Sequence, residues 1–461
     1  MQKCKLTKML ASLLFLTAWC DGVAAEADRP LILTDSYVGR EADAPWRQAA
    51  AERIEKYRKG DITVVVADER GRALPGADVS VRMTRHAFWF GSRADVRLIN
   101  SDEADARKYR EHFTTLFNYA TVNTVYYFQW STPERARETL RATLQAIPWL
   151  RKHRYPMRGH TLVWWFRDEM IRKSPQEVYD RVVQHIYQTA GNPLLAEAFA
   201  EWDVQNEPYG NSEIFTKLGR EKLPDFFRLV HKLDPDARLF LNEASLISQM
   251  HKEDWRKRLD FIYDLVKGLQ DKDVPIHGLG FQSHHIQTLA PIPAVIETLD
   301  RFARLGLDMQ ITEYDIKLRP VPGARDWQRR WRGPVATTPE LEKLEGQYLR
   351  DFLTAVFSQP RVTAFIMWGF WDGRHWLHNG PIFRKDWSLK PSGQAYKDLV
   401  LDKWWTNEQG QTDDMGTFRS RCFLGEHEVA VEFDGHRKTV QTTIPRDGRT
   451  IKVTLSSNQQ Q

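Results

Sequence analysis

The sequence predicts an α/β fold: a (β/α)8 TIM barrel with a short β segment before it and a small β domain after it. Three observations carry that expectation. From about residue 86, short apolar strands alternate with longer helical stretches, and eight strands can be counted. Polar residues gather at the C-terminal ends of those strands, the end at which barrels of this kind build their sites. After Lys403 the pattern changes to short strands punctuated by Gly/Asp turns.

Taken in order, residues 1–25 read as a secretory signal, which would place the protein outside the cytoplasm, secreted or periplasmic. Lys3, Lys5 and Lys8 precede an apolar run from Leu10 to Trp19 that is too short to span a bilayer, and Val23-Ala24-Ala25 offers a cleavage site. Trp19 before Cys20 is too large for a lipoprotein signal. Residues 26–85 hold a helix at 45–58 and a hairpin-like β segment at 61–83, with turn signals at Glu69-Arg70-Gly71 and Pro75-Gly76. The barrel is expected over 86–402. Its strands are Phe88–Ser92, Ala120–Tyr127, Pro156–Trp165, Glu201–Glu207, Arg238–Ala244, Ile276–Ser283, Asp308–Asp315 and Val362–Asp372. Helical periodicity fills Glu134–His153, Pro175–Ala190, Lys252–Leu269, Ala294–Leu305 and Pro339–Phe357. Residues 318–338 form a long loop after the seventh strand, where substrate contacts are expected. Residues 403–461 read as four short strands and a polar tail, a module that either packs on the barrel or binds carbohydrate.

Composition narrows the functional classes. A net charge of +5 on 461 residues, without a long basic run, argues against nucleic acid as partner. Loss of residues 1–25 would remove Cys4 and Cys20 and leave Cys422 alone, so no intrachain disulfide is expected. His284-His285 lack an H-x-x-x-H partner or cysteines, so no metal and no cofactor are expected. Asp413-Asp414 read as a solvated turn rather than a Ca2+ loop. Trp404-Trp405 are expected to be buried where the last domain meets the barrel.

Two strings carry the chemistry. WDVQNEP at 202–208 and ITEYDIK at 311–317 each look like a strand that ends by presenting a glutamate, Glu207 and Glu313. Two carboxyls on the fourth and seventh strands face each other across a barrel mouth. That suits hydrolysis of a glycosidic bond, in which one protonated carboxyl assists the leaving oxygen and a second, ionised one attacks the sugar or activates water. Asp315 shares a strand face with Glu313, and His284 ends the neighbouring strand. A Glu313–His284–Asp315 chain would keep Glu313 ionised, whereas apolar walls and the charge of Glu313 would keep Glu207 protonated.

With MRGHTLVW at 157–164, WDVQNEP, GLGFQSH at 278–284, ITEYDI and WGFWDGRHW at 368–376 in this order and spacing, the chain resembles glycoside hydrolase family 10, the retaining β-1,4-xylanases and relatives. The resemblance implies Glu207 as acid/base, Glu313 as nucleophile and His284 and Asp315 as its supports. It further implies Asn206 as the contact to the sugar 2-hydroxyl, His160 and Gln282 as pocket residues, and Trp368 and Trp376 as aromatic walls, with Trp164 beside them. The sequence departs from the family at two places. The second-strand lysine is absent from TVNTVYYFQWSTPE, 121–134, so Tyr127 or Gln129 must fill its space, and Trp165 stands where the family has a histidine. Lost polar contacts in a closed site change which sugar fits. The leading expectation is an exported, monomeric, retaining β-glycanase acting on xylan-type polysaccharide or oligosaccharide, with no membrane contact after signal removal. A glycosidase or transglycosylase for another glycan, such as a decorated xylan or an exopolysaccharide, and a weakly catalytic carbohydrate-binding protein are the other readings.

Overall fold

The computed structural model describes residues 35–124, 133–164, 170, 172–210, 213–324 and 327–455. The expected signal segment, the tail from Ser456, and Tyr127, Gln129 and Trp165 lie outside the described residues.

Sixteen strands are described, in two assemblies. The first is the barrel. Its strands are β3 (Trp89–Ala94), β4 (Tyr119–Asn123), β5 (Met157–His160), β6 (Phe199–Asn206), β7 (Arg238–Glu243), β8 (Gly278–Phe281), β10 (Asp308–Lys317) and β11 (Val362–Met367). They pair in parallel in that order, and β11 pairs with both β10 and β3, closing the ring. A short ninth strand, β9 (His284–Ile286), pairs with the overhanging end of β10 and sets His284 opposite Asp315. The barrel strands are almost continuously buried, because side chains pack both inward and against the helices outside.

The helices owe their places to capping and to one apolar face. Pro175–Thr189 starts with a capping box, Ser174 with Glu177, and buries Val178, Val182 and Ile186 at intervals of four residues. Pro339–Ser358 starts from Thr338, whose hydroxyl accepts from the Leu341 N–H at 3.2 Å.

The second assembly corrects the expected domain order. β1 (Lys59–Asp68) and β2 (Asp78–His86) do not form a hairpin with each other. β1 is the central strand of a three-stranded sheet, between β13 (Thr417–Phe423) and β16 (Arg449–Leu455). β2 lies in a four-stranded sheet, between β12 (Asn407–Gln411) and β14 (Gly425–Phe433), and β15 (His436–Ile444) lies beyond β14. The two sheets share a core of Ile62, Val64, Val66, Val79, Val81, Phe418, Val429, Val431 and Val453. The N-terminal β segment and the C-terminal strands are therefore one sandwich, with the barrel inserted between β2 and β12. Alternation signals a strand, but it carries no information about which strand pairs with which. The turn at Gly71 exists, with φ +79°, but the chain leaves it for the other sheet. β12, an exposed edge strand of sequence NEQGQ, has no apolar alternation to announce it.

Trp404 packs on the barrel just ahead of β12: it is buried, stacks on Phe357 at 4.1 Å, and faces Phe90 of β3 at 6.1 Å, and Phe357 in turn faces Phe423 of β13 at 6.4 Å. Trp405 is partly buried against the same core. Asp413 is the turn residue expected, its carboxylate accepting from the N–H groups of Met415 and Thr417.

Truncation after Trp405 removes the strands on both sides of β1 and two neighbours of β2. We expect that fragment to aggregate rather than to yield a free barrel. A soluble monomer with one cooperative thermal transition would contradict the shared sandwich.

Candidate active site

The parallel barrel brings strand ends together at one mouth. β5 supplies His160, and the chain beyond it supplies Trp164. β6 ends in Asn206 with Glu207 next, β7 ends in Asn242 and Glu243, and Gln282 follows β8. β9 opens with His284, β10 supplies Thr312, Glu313 and Asp315, and Trp368 and Trp376 follow β11. Two breaks in register aim these side chains. The β6–β7 pairing shifts between Asp203 and Gln205, and the β10–β11 pairing shifts between Ile311 and Tyr314. Such irregularities re-aim side chains beside functional sites. The shift lets Asp203 and Asn206, three residues apart, both meet site residues. Glu207 then takes a left-handed φ of 51°, its N–H held by the Asn242 carbonyl at 2.7 Å.

A chain of side-chain amides joins the two glutamates. Gln282 Nε2 donates to Glu207 Oε1 at 2.9 Å and to Asn206 Oδ1 at 3.1 Å. Asn242 Nδ2 donates to the same Asn206 oxygen at 2.9 Å and to Glu313 Oε1 at 2.7 Å. Thr312 Oγ1 donates to Asn242 Oδ1 at 2.6 Å, which fixes the amide's orientation. Gly280 makes room for that amide, since a Cβ there would lie 2.1 Å from Asn242 Oδ1. Asn206 Nδ2 and Gln282 Oε1 are buried and have no partner among the described residues. They leave one donor and one acceptor at the middle of the mouth available to a polar ligand.

The two glutamates sit in different surroundings. Glu207 accepts from Trp164 Nε1 at 3.0 Å and from Gln282. Burial, and after it the charge of Glu313, raises its pKa to about 7 despite those hydrogen bonds. Glu313 Oε2 meets His284 Nε2 at 3.1 Å, and His284 Nδ1 meets Asp315 Oδ1 at 2.9 Å. Burial alone would lower the His284 pKa. Asp315 and Glu313 on its two sides outweigh burial and raise it to about 10, so the ring is an imidazolium at neutral pH. Trp376 Nε1 donates to the other Asp315 oxygen at 2.7 Å. Trp368 meets His160 edge-on at 4.9 Å and lies 6.4 Å from His284.

Every described residue expected at the site is gathered here. His285, adjacent to His284, points away into a cage of Tyr314, Tyr348 and Phe352. Sequence reasoning underrated two residues. Asn242, at the end of β7, has no role in the sequence reading, yet it holds Glu313 directly. Asp203 was passed over inside WDVQNEP, yet its Oδ2 lies 2.8 Å from His160 Nδ1. A period of two counted back from Asn206 skips Asp203, because the register shift before Gln205 interrupts it, and Asn242 lies on a different strand from either glutamate.

A closed barrel whose mouth holds two glutamates, Glu207 half-buried with its pKa raised to about 7 and Glu313 buried against an imidazolium, belongs to the paired-carboxylate class of (β/α)8 proteins. The chain is a member of glycosyl hydrolase family 10, whose model matches residues 82–399. It is 26% identical over 415 residues to the anti-sigma-I factor RsgI6 of Acetivibrio thermocellus, covering 89% of this chain and 50% of that protein. It is 32% identical over 260 residues to a beta-1,4-xylanase of Dictyoglomus thermophilum, covering 53% of this chain and 69% of that one. Xylanase 10B of Thermotoga petrophila, solved with xylobiose, superposes with a TM-score of 0.56 at 24% identity, over 69% of this chain and 95% of that one. The chain spans half or less of the length of several curated relatives.

In an Asp315→Asn protein the His284 pKa should fall well below its value of about 10, read by NMR of the imidazole carbons across pH. The sign of the linkage follows. A folded pKa above the unfolded value of about 6.5 means that His284 stabilises the fold fully below pH 6.5. That contribution is lost as pH rises towards 10, and the Asn variant lacks most of it.

Proposed function

We propose that this protein is a retaining glycoside hydrolase that cleaves β-1,4-linked, xylan-type polysaccharide, with Glu313 as nucleophile and Glu207 as acid/base. The observation that carries the reading is the opposite treatment of the two carboxyls: a pKa of about 7 on Glu207, and an imidazolium in contact with Glu313. Family membership and the xylanases among its relatives support the substrate class.

In the first step Glu313 attacks the anomeric carbon while the Glu207 proton passes to the departing oxygen. The C–O bond breaks as a glycosyl ester forms on Glu313. His284, charged and anchored by Asp315, holds the Glu313 carboxyl in place for attack through the contact with Oε2 at 3.1 Å. In the second step Glu207, now a carboxylate, takes a proton from water. The water oxygen attacks the same carbon from the face the leaving group vacated, restoring the original configuration. Asn206 Nδ2 and Gln282 Oε1 supply the unpaired donor and acceptor for a sugar hydroxyl, and a hydrogen bond of that kind strengthens as positive charge develops on the ring. Trp368 and Trp376 wall the sugar that Glu313 attacks.

Glu313→Gln should lower turnover of xylan by on the order of 10^4-fold or more while oligosaccharide binding persists. Release of reducing sugar near the wild-type rate would sink the assignment. Because Glu207 must begin protonated, kcat/KM should fall as pH rises through about 7, and the Glu207→Ala protein should regain turnover with added azide. A flat profile from pH 6 to 9, with no azide effect, would remove Glu207 from the acid/base role.

A further inference from the structure

The loop after β10, residues 318–338, carries Arg319, Arg325, Arg329, Arg330 and Arg332 against one acid, Asp326. It begins one residue beyond β10, five positions past Glu313, so its start lies at the same mouth. Within it, the guanidinium carbon of Arg332 lies 5.3 Å from the centre of the Trp376 ring. From the other side of the closure, Arg93 near the end of β3 lies 5.8 Å from the Trp368 ring, and its Nε donates to the Trp368 carbonyl at 3.2 Å. Each tryptophan beside Glu313 thus has an arginine against it.

Neighbouring cations show what is unusual. Arg374 pairs with Asp95 at 3.1 Å and Lys390 with Asp372 at 2.8 Å, both in the loop after β11. Arg93 and Arg332 meet no carboxylate among the described residues, and the Arg332 Nε is buried without a partner. Stacking occupies the flat face of a guanidinium and leaves its edge for hydrogen bonds: on Arg93 the Nε is taken by the Trp368 carbonyl and the terminal nitrogens remain for a carboxylate. A partly buried cation held without a counter-ion is costly unless something supplies the charge.

We propose that Arg93 and Arg332 receive the carboxylate of a uronic acid carried by the glycan next to the sugar held between Trp368 and Trp376. This rests on the glycoside hydrolase reading and narrows its substrate to an acidic glycan. If the arginines served only to brace the tryptophans, their loss would weaken neutral and acidic sugars alike.

The test is calorimetric binding to the Glu313→Gln protein, paired with turnover by the wild type. The probes are a xylo-oligosaccharide bearing one glucuronic acid branch, the same oligosaccharide without it, and a β-1,4-linked oligoglucuronate. The branched acid should bind roughly tenfold or more tightly than its neutral counterpart, the scale of one charge-assisted hydrogen bond, and added salt should shrink the difference. Arg332→Gln and Arg93→Gln should each remove most of that advantage, and Arg332→Lys should keep part of it. Tighter binding of the oligoglucuronate than of the branched sugar would place the carboxylate in the glycan backbone instead of on a branch. Equal affinity for acidic and neutral probes, or equal weakening of both by the variants, overturns the proposal. If the wild type cleaves the neutral sugar in that case, the hydrolase reading stands without it; if no probe is bound or cleaved, both readings fall.

Discussion

Arg158 sits inside the barrel with no exposure to solvent. A full charge in that position has to be neutralised by groups from several strands at once, and the rest of the site is built on the solution. Its Nε donates to Asp203 at 3.0 Å, and one terminal nitrogen reaches Gln310 of β10 at 2.7 Å and Glu201 at 3.3 Å. Tyr119 of β4 donates to Glu201 in turn. Breaking such a pair strands an uncompensated charge, which is far more damaging than losing a surface ion pair. The arginine therefore fixes the relative positions of β4, β5, β6 and β10. Burial would push the Asp203 pKa up; Arg158 and His160 outweigh it and hold Asp203 ionised. Asp203 turns that charge upward, through His160, to within 3.9 Å of Glu313.

The barrel interior thus changes character along its axis. Low in the barrel, charges are matched and closed off. At the mouth, the amide chain from Glu207 to Glu313 is satisfied along its length but leaves one donor and one acceptor over. A polar network with loose ends is expensive in a folded protein, and it is tolerated here because the layer beneath is rigid. The same contrast separates the two glutamates, which share a network but not their remaining partners, Trp164 on Glu207 and His284 on Glu313.

Legibility in the sequence followed the physics of each feature. The eight barrel strands and six of the helices were readable because buried parallel strands and amphipathic helices leave strong periodic patterns. Glu207, Glu313, His284 and Asp315 stood in compact strings at strand ends. Asn242 was harder to value, since its importance arises from a contact with β10 some 70 residues on. Asp203 was concealed by the break in register before Gln205. The pairing of β1 with β13 and β16 was out of reach, because partners separated by more than three hundred residues leave no local trace. β12 was invisible for a simpler reason: an exposed edge strand of polar residues obeys no burial pattern.

The insertion of the barrel into the sandwich has a consequence for the order in which the molecule can be made. Lys59 pairs with Phe423 and Gly425 with His86, so the first strands to leave the ribosome wait for the last. At elongation rates of about 5–20 residues per second, that wait is on the order of tens of seconds. Throughout it, β1 and β2 carry unpaired backbone edges and an apolar face that will later form a core, the state most prone to pairing with another nascent chain. The barrel can close from contacts made within its own span, whereas the sandwich has the longest loop to close and completes only when the final strand arrives.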